Sequence, residues 1–156
     1  MTQDNAAPFT RVQMCERYVS SVRHSHELGI EILEAAEQSV RARMPWQERL
    51  VGNPDTNMIH GGALFAFLDQ LGGLANAMRV FPSFEITPTI DFRIDHLRAP
   101  TPGTAIIGAA DCYRLSEHVA FVRLEAWAEG SDEAIATGLA TYMRMKLPNA
   151  SKMVSQ

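Results

Sequence analysis

One short run of this chain holds most of the residue types that could do chemistry: Asn53, Asp55, Asn57, His60, Gly61, Gly62 and then Asp69. The two glycines stand where a polar loop gives way to GGALFAFLDQLGGLANAMRV, an apolar stretch that reads as a helix over Gly61–Val80. The first amides of a helix lack intrahelical partners, and the helix dipole favours negative charge beside them. Glycine at that point removes side chains that would hold a ligand away. Such a setting suits a carbonyl oxygen that turns negative under attack, the oxyanion-hole arrangement. The plainer alternative is that Gly61-Gly62 only shapes a tight turn or a close helix–sheet contact, and the dipeptide alone favours it.

Asp69 shifts that balance. Its helix neighbours are Phe65, Phe67, Leu68, Leu71 and Leu74, and no basic residue stands three or four positions away to pair with it. A carboxylate in apolar surroundings must be paired, protonated or open to a watered cavity. The third case is where a general base works; the competing reading is an arginine partner from another strand. Asp69 lies eight residues beyond Gly61, about 12 Å along a helix at 1.5 Å per residue. That is long for one small carbonyl centre. Two antiparallel copies of the helix, one giving amides and the other the carboxylate, would close the gap, so the spacing predicts a homodimer with composite sites.

The elements that must position these residues follow from periodicity. Residues 9–28 carry Phe9, Val12, Cys15, Val19 and Val22 at helical spacing, with Gly29 as the stop. Residues 30–44 shift toward alternation and read as one long strand, bulged around Ala35-Ala36. Residues 51–57 (VGNPDTN) read as loop. The helix at Gly61–Val80 is apolar on nearly every face, which predicts burial on all sides. Strands are expected at 86–98, 104–113, 118–128 and 134–146, the last two joined across Gly130-Ser131-Asp132. Successive strands with short turns are antiparallel, so the fold class is α+β, a curved antiparallel sheet wrapping the long helix. The expected organisation is a single domain over 1–156, with a core of about 28–146, an N-terminal helix of about 9–28 and a flexible tail at 148–156.

Composition narrows the function classes. The 156 residues are 46% hydrophobic and 21% charged, with 14 Lys and Arg against 18 Asp and Glu. That is an ordinary globular balance with a mildly acidic net charge, so no attraction for nucleic acid is expected. The longest apolar run stops at Asp69, far short of a membrane span. Cys15 and Cys112 have no CxxC partner and read as free thiols of a reducing, cytoplasmic compartment. His24 and His26 form an HxH pair, but that spacing turns the rings apart on a helix, and no third ligand accompanies them. Gly72-Gly73 in mid-helix costs roughly 1 kcal/mol per glycine relative to alanine, which suggests close approach by another backbone or an acyl chain. No GxSxG elbow or partnered nucleophile marks a serine or cysteine hydrolase.

The run NPDTNMIHGGALFAFLD (53–69) resembles the signature of hotdog-fold acyl-CoA thioesterases of the PaaI type, and IDFRIDHLRAPTPG (90–103) resembles that family's second strand and turn. The resemblance covers roughly residues 28–146. It implies a hotdog fold of five or six strands around a central helix, and obligate dimers often paired into tetramers. It also implies that the Gly61 amide polarises a thioester carbonyl and that Asp69 of the facing subunit attacks or activates water. Thr89 would help position that water, His60 would orient the loop or bond near the thioester, and Asn53, with Asn57 as the alternative, would sit near the carbonyl. Gly62, Phe65 and Leu68 are expected along the substrate, with Leu71 beside them, and Arg93 and Arg98 on the phosphates of coenzyme A. Arg114 is a further phosphate candidate.

The function expected is a hydrolase cleaving acyl-CoA thioesters, aromatic or medium-chain acyl groups favoured, without metal or bound cofactor; coenzyme A belongs to the substrate. The rivals are a hotdog hydratase or dehydratase of acyl thioesters, which would draft His60 and Asp69, and a non-catalytic acyl-CoA-binding domain. A structural dimer whose Asp69 pairs across the interface is the blandest reading.

Overall fold

The computed structural model describes residues 9–83 and 85–146; the expected tail at 148–156 lies outside the described residues. Helix α1 spans Arg11–Ser21 and starts in a capping box, with Thr10 Oγ1 accepting from the Gln13 amide and Gln13 Oε1 accepting from the Thr10 amide. The single helix expected to Gly29 is two helices. Ser20 and Ser21 donate their hydroxyls to the carbonyls of Arg17 and Tyr18, and Val22 takes extended geometry. Such back-bonding competes with continuation of the helix. Helix α2, Arg23–Leu28, then ends at Gly29 in the left-handed conformation (φ 69°), as the glycine stop predicts.

The long strand expected over residues 30–44 is a hairpin. Strand β1 (Glu31–Ala35) reverses through residues 36–38 into β2 (Ser39–Met44), with Ala35 opposite Val40. The turn contains neither Gly nor Pro, so alternation runs across it without punctuation. A 3₁₀ turn, Glu48–Leu50, leads to a small hairpin of β3 (Val51–Asn53) and β4 (Met58–Ile59), where only loop was expected. Helix α3 occupies Gly61–Val80, with the expected limits.

After α3 come β5 (Glu85–Ile86), β6 (Thr89–His96), β7 (Ile106–Leu115), β8 (Val119–Ala128), β9 (Ala134–Met143) and β10 (Met145–Lys146). The expected strands at 86–98 and 134–146 are each divided. Pro88 offers no amide but accepts from Met143, and Arg144 turns inward to grip Glu85 at 2.9 and 2.8 Å. The main sheet is antiparallel throughout in the order β1-β2-β7-β8-β9-β6, which leaves β6 on an edge.

Small residues on the sheet's inner face let α3 lie close. Ala42, Ala110, Ala120, Ala126, Ala136 and Ala140 are buried against Leu64, Phe67, Leu68, Leu71 and Leu74. Phe67 fills the space over Gly108, where a Cβ would stand 2.6 Å from its ring. Burial of α3 on all sides does not hold within the chain. Gly61, Gly62 and Phe65 are exposed, and Ala66, Asp69 and Gly73 half-buried, along one open stripe. Helices α1 and α2 cover the neighbouring side: Arg11 donates to the Met78 carbonyl at 2.6 Å, and Ser25 bonds Gln70.

Candidate active site

The start of α3 is arranged so that one amide is left over. His60 is the N-cap, and its Nδ1 accepts from the Gly62 amide at 2.9 Å. The His60 carbonyl takes the amides of Ala63 and Leu64 at 3.0 and 3.3 Å. Among the described residues, no acceptor takes the Gly61 N–H, and Gly61 is exposed. The two glycines therefore differ. A Cβ on Gly62 would meet His60 Nδ1 at 2.9 Å, so Gly62 admits the cap and its amide is not offered to a ligand. His60 in turn rests on Gly52 of β3, where a Cβ would come within 2.9 Å of the ring. This imidazole is a structural cap, engaged through Nδ1.

Asp69 has partners, but no arginine is among them. Thr89 at the start of β6 donates its hydroxyl to Asp69 Oδ1 at 2.7 Å. Tyr142 of β9 shares its one hydroxyl proton between the same oxygen at 3.2 Å and the Asp69 carbonyl at 3.1 Å. Burial, then the Asp69 charge and hydrogen bond, hold the Tyr142 proton far above the ordinary phenol range. Tyr18 of α1 feels the same charge, its hydroxyl raised first by burial and then by Asp69. The carboxylate sits among phenols and a threonine, half-buried.

Edge strand β6 connects the two ends. Thr89 touches Asp69, Phe92 packs against Phe65 with ring centroids 4.3 Å apart and planes tilted by 48°, and His96 lies beside Gly61. A Cβ on Gly61 would be 3.4 Å from His96 Cε1. These contacts run in opposite order along the two elements, so β6 lies antiparallel to α3. The free amide, the Phe65–Phe92 pair and the carboxylate fall in one line along an open edge.

The remaining expected residues divide. Asn53 organises its loop: its Oδ1 accepts from the Asp55 amide at 3.0 Å and its carbonyl from Thr56 and Asn57. Asn57 adopts φ 52° and gives its carbonyl to Trp46 Nε1 at 3.0 Å. Leu68 and Leu71 are wholly buried between helix and sheet and present no surface to a substrate, unlike Phe65. Arg93 pairs with Asp95 at 3.1 Å and Arg98 with Glu133, both exposed, so an incoming phosphate would have to displace carboxylates from weak surface pairs. Arg114 lies over the Phe121 ring, 5.5 Å from its centroid. The nearest neighbours of the mid-helix glycines are side chains: the Tyr142 hydroxyl would lie 2.0 Å from a Cβ on Gly72, and the Thr87 hydroxyl 3.0 Å from one on Gly73. His24 and His26 are exposed, and no group of three metal-ligating side chains occurs among the described residues. Cys15 and Cys112 are free and buried, which pushes their thiols up to about 12 and about 11. Among the described residues no helix is long and apolar enough to cross a membrane.

Sequence reasoning missed Tyr142 and His96. The buried phase of β9 and the vacancy at Gly72 were available signals for the tyrosine. His96 carried none beyond its place at the strand end.

A long helix clasped by a six-stranded antiparallel sheet, with glycines at the helix start and an acid two turns on, defines the hotdog fold. The chain belongs to the thioesterase superfamily, whose family profile matches residues 56–135. A solved Pseudomonas aeruginosa protein is 33% identical, with 87% of this chain and 100% of that one covered and a TM-score of 0.78. Thioesterase HI1161 of Haemophilus influenzae (23% identical, 90% and 94% covered, TM-score 0.76) shares the fold. So does the E. coli PaaI protein from the phenylacetic acid degradation operon (17%, 86% and 94%, TM-score 0.73). VNG_1336C of Halobacterium salinarum, which carries an esterase name, is 32% identical over 85 residues. That match spans 53% of this chain and 56% of the relative.

Proposed function

We propose that the protein hydrolyses acyl-CoA thioesters. One observation carries this reading: the unengaged Gly61 amide and the hydroxyl-held Asp69 carboxylate lie in line on the open stripe of α3, beside edge strand β6. The thioester carbonyl oxygen would lie against the Gly61 N–H. Water, deprotonated by Asp69, would add to the carbonyl carbon; collapse of the tetrahedral oxyanion would expel the coenzyme A thiolate and leave the carboxylic acid. The thiolate is a good leaving group, so no metal or further cofactor is required. The separation of about 12 Å between Gly61 and Asp69 along one helix favours a site shared by two antiparallel copies, each lending Gly61 to the other's Asp69. A dimer of dimers and a cytoplasmic location belong to the same proposal. Arg93, just past the middle of β6, and Arg98, two residues beyond its end, would then exchange their carboxylates for coenzyme A phosphates.

A second reading gains from His96. In the shared site, His96 beside Gly61 would face the other copy's Asp69, the imidazole–carboxylate pair a hydratase of acyl thioesters needs. One experiment separates the two. Wild type and Asp69→Asn are offered short, medium, long and aryl acyl-CoA esters and an enoyl-CoA, with free thiol and enoyl absorbance followed together. Thiol release that vanishes in the variant supports the thioesterase. Enoyl loss without thiol release would move the protein to the hydratases, and binding with neither to the acyl-CoA-binding modules.

A further inference from the structure

Tyr142 is 1% exposed, and it is the largest side chain wholly within the core. A phenol in such a place needs a partner, and its partner is Asp69: 3.1 Å to the backbone carbonyl and 3.2 Å to Oδ1. The fold makes room for this contact at a cost. Gly72, one turn along α3 from Asp69, is helical glycine, and a Cβ there would stand 2.0 Å from the Tyr142 hydroxyl. Any other residue at 72 would push the phenol off the carboxylate. Thr89 reaches the same Oδ1 at 2.7 Å from a different strand.

We infer that Tyr142, admitted by Gly72, is the positioning residue for the Asp69 carboxylate and selects Oδ2 as its working oxygen. A carboxylate oxygen has two lone-pair sites; on Oδ1 Thr89 takes one, and the single Tyr142 proton, shared with the Asp69 carbonyl, is directed at the other. Oδ2 is then the oxygen with capacity for the attacking water. Two donors from two strands also fix the side-chain rotamer, so the base is held in place before substrate arrives. The phenol keeps its proton at any working pH, because burial and the adjacent charge both oppose its loss. The inference rests on the thioester reading above.

The test is a double-mutant cycle on thiol release from the best acyl-CoA substrate, with Tyr142→Phe, Thr89→Val and the double variant. Tyr142→Phe keeps the ring over Gly72 and removes only the hydroxyl. Its kcat is expected to fall about tenfold with KM within about twofold, as loss of one positioning hydrogen bond implies. Because both hydroxyls hold one oxygen, the double variant should lose less or more than the product of the single losses. Wild-type kcat in Tyr142→Phe, or strictly multiplicative losses, would overturn the inference while leaving thioester hydrolysis intact. Absence of hydrolysis by the wild type, or full activity in Asp69→Asn, would remove the underlying reading and the inference with it.

Discussion

The two ends of the α3–β6 edge solve opposite problems. At the Gly61 end the group the proposed reaction uses is a backbone N–H, and its surroundings keep side chains away or occupied: His60 takes the Gly62 amide, and Gly52 makes room for His60. At the Asp69 end the group the proposal uses is a side chain, and the surroundings crowd in to hold it, with Thr89 and Tyr142 on one oxygen and Gly72 yielding space for the phenol. Glycine appears at both, once to expose a donor and once to admit a partner. A glycine in a helix is thus informative only with its neighbour across the gap.

The contrast can be broken from either end. The largest effect is expected of Asp69→Asn, which should lower kcat by about two to four decades while circular dichroism stays native. Gly72→Ala comes next: the Cβ must displace Tyr142, so urea titration should show a loss of about 1–3 kcal/mol, and activity should fall with it. His60→Ala removes an N-cap and should cost about 1 kcal/mol, with the Gly62 amide released to solvent. The last effect is a pH slope, absent at neutral pH and felt only in alkaline solution. Cys15 keeps its proton up to about 12 when folded, against 9.0 for the free group. The native state then binds more protons, and stability should decline as pH rises from 9 toward 12. Cys15→Ala should flatten that decline in thermal melts.

Much of this was legible before any coordinates. The limits of α3 follow from an apolar run bounded by His60-Gly61 and Phe81-Pro82, and the inward residues of β8 follow from strict alternation of Ala120, Val122, Leu124 and Ala126. The β1–β2 turn was not, because residues 36–38 carry no turn chemistry that pattern could detect. Leu68 looked like a lining residue because an all-apolar helix has no face to read; the sheet's small side chains decide which side is covered. The partners of Asp69 come from β6 and β9, distant in sequence, and hydrogen bonds of that kind leave no local periodicity. His96 reaches Gly61 only because β6 runs antiparallel to α3.

The central claim, that Gly61 of one copy works with Asp69 of another, is tested by complementation. Gly61→Pro deletes the amide proton at a first helical position, where proline is tolerated, after a His60 already extended at φ −63°, ψ 139°. Gly61→Pro and Asp69→Asn are each expected to be inactive in thiol release. Co-refolded in equal amounts, they should recover about a quarter of wild-type activity, since half of randomly formed symmetric dimers are mixed and each mixed dimer holds one intact site of two. No recovery, with mixed dimers verified by mass, would place both groups in a single chain and contradict the account.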